Sequence, residues 1–89
     1  MCLGIPGQVV ATVDADEYLA KVDVSGVQRT ISVRLLADDG LEEGDWVLVH
    51  VGFAMAKIDE AEAHTTLEQI KKLEAEYEAE MDAFISSSL

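Results

Sequence analysis

Two side chains in this 89-residue chain carry the chemistry of a soft-metal site: the thiol of Cys2 and the imidazole of His50. Cys2 is the only cysteine, so neither an internal disulfide nor a multi-thiolate zinc cage is open to it. A lone cysteine is ordinarily a small buried hydrophobe, yet the second position of a chain is rarely buried, because termini fray. A small residue behind Met1 also suits removal of that methionine, which leaves an α-amine and a thiol on adjacent carbons. Those two donors close a five-membered chelate on a metal, and the nearby ammonium favours the thiolate. On these grounds packing residue and metal ligand both stand open for Cys2.

His50 shares strand parity with Trp46 and Leu48. A histidine in an apolar strand is ordinarily a hydrogen-bonded packing residue, but near a thiol it becomes a second ligand or a proton acceptor. His64, in an acidic helical stretch, reads as a surface residue. Stand-alone catalysis is not expected. No Ser/His/Asp set surrounds either histidine, no phosphate-cradling glycine loop is present, and nothing among the acids selects a catalytic pair.

Positioning these groups falls to two kinds of element. Up to about Ile58 the pattern is β. Pro6-Gly7 reads as a turn that tethers a short mobile arm, residues 2–5, to a first strand over Gln8–Val13, with Leu3 and Ile5 able to dock the arm. Tyr18, Ala20, Val22 and Val24 alternate along a second strand. Ser25-Gly26 turns the chain into a third over Val27–Leu35, with Ile31, Val33 and Leu35 facing in. Trp46–Val51, apolar on both faces, and Phe53–Ile58 complete five short strands, the pattern of a small closed or nearly closed barrel. From Asp59 the period changes, and Leu67, Ile70, Leu73, Tyr77, Met81 and Phe84 form a helical stripe. Two capping boxes compete for its start, Asp59 with Glu62 and Thr65 with Glu68. The second is the better match, which predicts a single turn near 59–64 and the main helix from Thr66. The stripe either packs on the barrel, the ordinary outcome, or faces a partner. Residues 1–58 thus read as a barrel with an N-terminal Cys arm, and 59–89 as a helical extension of the same domain.

Eighteen acids against six bases leave a net charge of −12, which repels phosphate backbones and anionic membranes. Residues 58–89 hold nine of the acids and only Lys71 and Lys72 as bases, a dense acidic face that a basic partner could use. With no run of about 20 apolar residues and no basic start of a signal peptide, a cytoplasmic protein is expected. An oligonucleotide-binding barrel is the alternative from another class, but the basic groove and stacking aromatics it needs are lacking. A plain interaction module with an incidental Cys2 is a third.

Met1-Cys2-Leu3-Gly4-Ile5-Pro6-Gly7-Gln8-Val9-Val10 resembles the N-terminal signature of the HypC/HupF family of hydrogenase maturation chaperones. Gly44-Asp45-Trp46-Val47-Leu48-Val49-His50-Val51-Gly52-Phe53-Ala54-Met55 resembles that family's second hallmark, and Asp59–Ala63 its acidic helix start. The resemblance runs to about Leu73. It implies a mainly β protein, an OB-like five-stranded barrel followed by a C-terminal helical segment. It also implies a non-enzymatic role in building the iron centre of [NiFe]-hydrogenases. Such proteins bind the scaffold HypD and the precursor of the hydrogenase large subunit, and help deliver iron as an Fe(CN)2CO group. Carried over by position, Cys2 is the essential thiol and proposed iron ligand, Leu3, Gly4, Ile5, Pro6 and Gly7 belong to its motif, and His50 matches the histidine of the second block. Trp46 stands where tyrosine is more common, and the tail past Leu73 extends beyond the resembling region.

Overall fold

The alternation of Ala20, Val22 and Val24 does what period two demands, and all three side chains are buried. The computed structural model describes residues 4–86. Strands β1 (Ile5–Asp14), β2 (Leu19–Val24) and β3 (Val27–Ser32) lead through a 3₁₀ segment (Arg34–Asp39) to β4 (Trp46–His50) and β5 (Phe53–Ile58), followed by helices α1 (Glu60–Lys72) and α2 (Glu74–Ser86). The strands close in the order β1-β2-β3-β5-β4, with β4 returning to β1. This is the OB-like five-stranded barrel with a helical C-terminal segment, as expected. The β3–β5 seam closes at a single parallel pair, Ser32 with Phe53, while the other seams are paired along several residues.

Strand β1 serves two neighbours. Ile5 to Gln8 pair with β4, and Gln8 to Asp14 pair with β2 across irregularities at Val9/Ala11 and Thr12/Asp14. Such bulges bend a strand and raise its twist, which lets one strand curl between two partners. The β2–β3 and β4–β5 hairpins each turn on two residues of positive φ: Ser25 (51°) and Gly26 (90°), then Val51 (47°) and Gly52 (82°). Type I′ turns need that geometry, because its twist matches that of the strands.

Four features differ from the sequence-based expectation, and long-range packing explains each. Pro6-Gly7 is not a turn. Pro6 pairs with Leu48 and Gly7 with Val47, because barrel closure recruits this segment as the partner of β4. Gly4 and Ile5 are buried, so the arm expected over residues 2–5 is anchored from Gly4 onward; Cys2 and Leu3 lie outside the described residues. Gly7 answers to packing: a Cβ there would lie 2.6 Å from Val22 Cγ1 and 2.8 Å from Val24 Cγ2. The third strand stops at Ser32, and the chain swings into the 3₁₀ segment, so Leu36 enters the core and Leu35 is exposed. Tyr18 lies in a turn (φ 57°), its ring beneath the Arg34 guanidinium at 4.8 Å.

The helical region differs too. Asp59 caps the first helix, with the Glu62 N–H donating to Asp59 Oδ1 at 2.7 Å; the earlier of the two capping boxes is the one used. A break at Leu73 (φ −104°, ψ 74°) then divides the stripe between two helices. One straight helix from 60 to 86 would run about 40 Å, beyond the 37 Å longest extent of the described fold. The break lets α2 fold back, so that Phe84 joins the barrel core with Tyr77 and Met81 packed against it. The stripe therefore covers its own barrel. Leu73, at the break, stays exposed.

Candidate functional site

Strand β4 has two faces with different work. Val47 and Val49 point into the barrel and are buried, while Trp46, Leu48 and His50 lie half-buried on the outside, where both helices pack. Helix α1 sets His64 against Trp46, ring centroids 5.4 Å apart and tilted by 58°; exposed as expected, His64 also meets Glu60 at 3.5 Å. Helix α2 sets Glu80 against His50. The Nδ1 of His50 lies 3.2 Å from both carboxylate oxygens of Glu80. The His50 side chain is 44% exposed and that of Glu80 only 10%.

Glu80 did not stand out among the acids of the tail, yet a signal was present. It follows Tyr77 by three residues and precedes Phe84 by four, so it falls within the apolar stripe. An acid on a buried face needs a partner.

The start of β1 comes to the His50 end of β4. Ile5 pairs with Val49, Pro6 with Leu48, and continuing that antiparallel register carries Gly4 alongside His50. The approach is close: a Cβ on Gly4 (φ 154°) would lie 2.5 Å from the Val49 carbonyl oxygen, backbone that cannot yield. Only glycine fits. Just past His50, Val51 adopts a left-handed conformation that is costly for a β-branched residue, of order 1–3 kcal/mol. Val51, Phe53 and Met55 are all exposed, which leaves an apolar strip on the hairpin next to His50. No group of three or more His, Cys, Asp or Glu side chains able to hold a metal occurs among the described residues. A metal held here by three or more protein side chains would need donors from beyond them or from a partner.

A groove of about 520 Å³ lies at the other end of β4, lined by residues that include Trp46, Asp45, Lys57 and Glu60. Asp45 braces it. Its Oδ2 accepts from the Glu42 N–H at 2.8 Å and lies 3.3 Å from Lys57 Nζ. The Glu42 hydrogen bond, followed by Lys57, holds this carboxyl below its ordinary range against the opposing effect of burial. A depressed carboxyl stabilises the fold above its unfolded pKa, and the contribution disappears as pH falls through the folded one. Asp45→Asn is therefore expected to lower stability at pH 7 by about 1 kcal/mol or less, with the gap closing below about pH 4. Urea titrations of both proteins across pH 3–7 check this; a gap independent of pH contradicts it.

Fold and site together define a small helix-capped OB-like barrel offering a half-exposed histidine where its first strand begins. Known sequences carry the assignment further. The model of the HupF/HypC family matches residues 1–70, and the chain belongs to that family. It is 56% identical over 75 residues to the hydrogenase maturation factor HypC of Rhodobacter capsulatus, covering 82% of this chain and 78% of the relative. It is 47% identical over 77 residues to HypC of Escherichia coli K12, covering 82% of each chain. Against the maturation factor HybG of that strain it is 43% identical over 76 residues, covering 83% of this chain and 93% of the relative. Helix α2 lies beyond the family match. No helix among the described residues is long and apolar enough to cross a membrane.

Proposed function

We propose that this protein is a cytoplasmic, non-enzymatic chaperone of [NiFe]-hydrogenase maturation that escorts iron, as an Fe(CN)2CO group, from the scaffold HypD to the large-subunit precursor. The Cys2 thiolate coordinates the iron during the hand-over, with His50 as neighbouring ligand or proton acceptor. The cyanide and carbonyl ligands stay on the iron throughout, so only bonds to protein ligands are exchanged. The supporting observation is the β1–β4 register. It brings Gly4, two positions from Cys2 in the sequence, to the His50 end of β4.

The chemistry of the donors agrees with transfer. A thiolate and an imidazole both suit iron, and one or two protein ligands release a metal that a closed four-ligand cage would retain. The exposed Val51, Phe53 and Met55 supply an apolar contact face beside His50, of the kind partner proteins cover. The net charge of −12 favours protein partners with basic patches and opposes nucleic acid.

The test is affinity purification of the tagged full chain from hydrogenase-expressing cells, with mass spectrometry and iron quantification. The expected result is co-purification of HypD and the large-subunit precursor, with iron in the complex that wild-type Cys2 forms and little in that of Cys2→Ala. Purification of the chain without either partner overturns the reading.

A further inference from the structure

We infer that Glu80, on the helix beyond the family match, is the positioning residue for His50: it fixes the ring and keeps the hydrogen on Nδ1, so that the lone pair of Nε2 faces outward. A carboxylate accepts hydrogen bonds and donates none. With Nδ1 at 3.2 Å from both oxygens of Glu80, a neutral imidazole must hold its hydrogen on that nitrogen. Nε2, at the opposite side of the ring, then carries the free lone pair, on a side chain that is 44% exposed.

The geometry is held firmly. Glu80 is buried on α2, four residues before Phe84, which is 1% exposed within the barrel core. Arg29 of β3 donates through Nε to the Ile85 carbonyl at 3.1 Å, a cation at the C-terminal end of the helix where it is favoured. The carboxylate is thus presented by an element docked at both its apolar face and its end. A histidine that ligates a metal through one nitrogen commonly donates the other N–H to a carboxylate, which sets tautomer and orientation. Here that carboxylate comes from α2, while the family match stops at residue 70. The barrel supplies the histidine and the extension aims it. The tautomer stands on local geometry alone; its use in iron delivery rests on the function proposed above.

Long-range proton–nitrogen correlation spectra of the ¹⁵N-labelled full chain read the tautomer directly, with His64→Gln to assign the two rings. The wild-type His50 ring is expected to carry its hydrogen on Nδ1, a measurement that needs no variant at position 80. Glu80→Leu, which keeps bulk in a buried position, and Glu80→Ala are expected to release the ring into a mixture of tautomers and to reduce hydrogenase maturation in cells about tenfold or more, with helical content retained. A wild-type ring with the hydrogen on Nε2 overturns the inference. So does an unchanged tautomer in folded variants, or a changed tautomer with maturation at the wild-type rate. Normal maturation by Cys2→Ala would instead remove the proposed function and leave the spectroscopic result standing.

Discussion

Cys2→Ala is expected to abolish hydrogenase maturation while the barrel melts as the wild type does. The two halves of this expectation have separate causes. The buried cluster of the described residues is made by Ile5, strand residues such as Val22, Val47 and Val49, and Phe84, and a thiol that acts on iron, as proposed above, is not one that packs in that cluster. A substitution outside such features typically shifts stability within about 0.5 kcal/mol. The functional half follows from donor chemistry. Among the described residues no metal-holding cluster exists to take over, and Cys2 is the only thiol in the chain. Loss of a supporting residue around a metal costs about 10–100-fold, and loss of the ligand itself should reach the upper end or pass it. Hydrogenase activity in cells carrying the variant, with a thermal melt of the purified protein, checks both halves. Wild-type hydrogenase activity would remove Cys2 from the mechanism.

Phe84→Ala is the largest stability effect expected. Phe84 is 1% exposed and belongs to the barrel cluster although it lies 26 residues beyond the last strand residue, Ile58. Truncating a buried phenylalanine costs about 3–5 kcal/mol, a large share of the 5–15 kcal/mol that holds a typical domain. The loss falls first on α2, which keeps its contact with the barrel through Phe84, Met81 and Tyr77. With α2 released, the Glu80 contact to His50 goes as well. Urea unfolding followed through Trp46 fluorescence and far-ultraviolet circular dichroism measures the cost. A loss under about 1 kcal/mol would mean that the helix does not seal the barrel.

Local signals carried the strands well where one rule applied at a time. Ala20, Val22 and Val24 alternate into the core, and Ser25-Gly26 makes the hairpin turn they flank. Local signals failed where a distant partner decided. Pro6-Gly7 has the composition of a turn, but pairing with β4 holds it extended. Of the two capping boxes, Thr65 with Glu68 is the better match in sequence. The earlier one is used: β5 ends at Ile58, Asp59 caps at once, and α1 lies against β1 and β4 with Ala63 and Ile70 buried and Leu67 packed on the barrel core. No Gly or Pro marks the break at Leu73, which shows only in the fold, where α2 turns back and Phe84 joins the barrel core.

Of the candidate site, the residue types alone singled out Cys2 and His50 as candidates and left a packing role open for both. A unique thiol at position 2 and a histidine in an apolar strand are chemical facts independent of folding, and the two motifs around them assigned the family. What tertiary structure decided is which groups surround that histidine: the β1 start at Gly4, the strained Val51 turn, and above all Glu80, thirty residues away. The physical reason is the same in each case. Side-chain identity sets which bonds an atom can make, whereas barrel closure and helix docking set which atoms come within reach, and those depend on contacts that no local window of sequence contains.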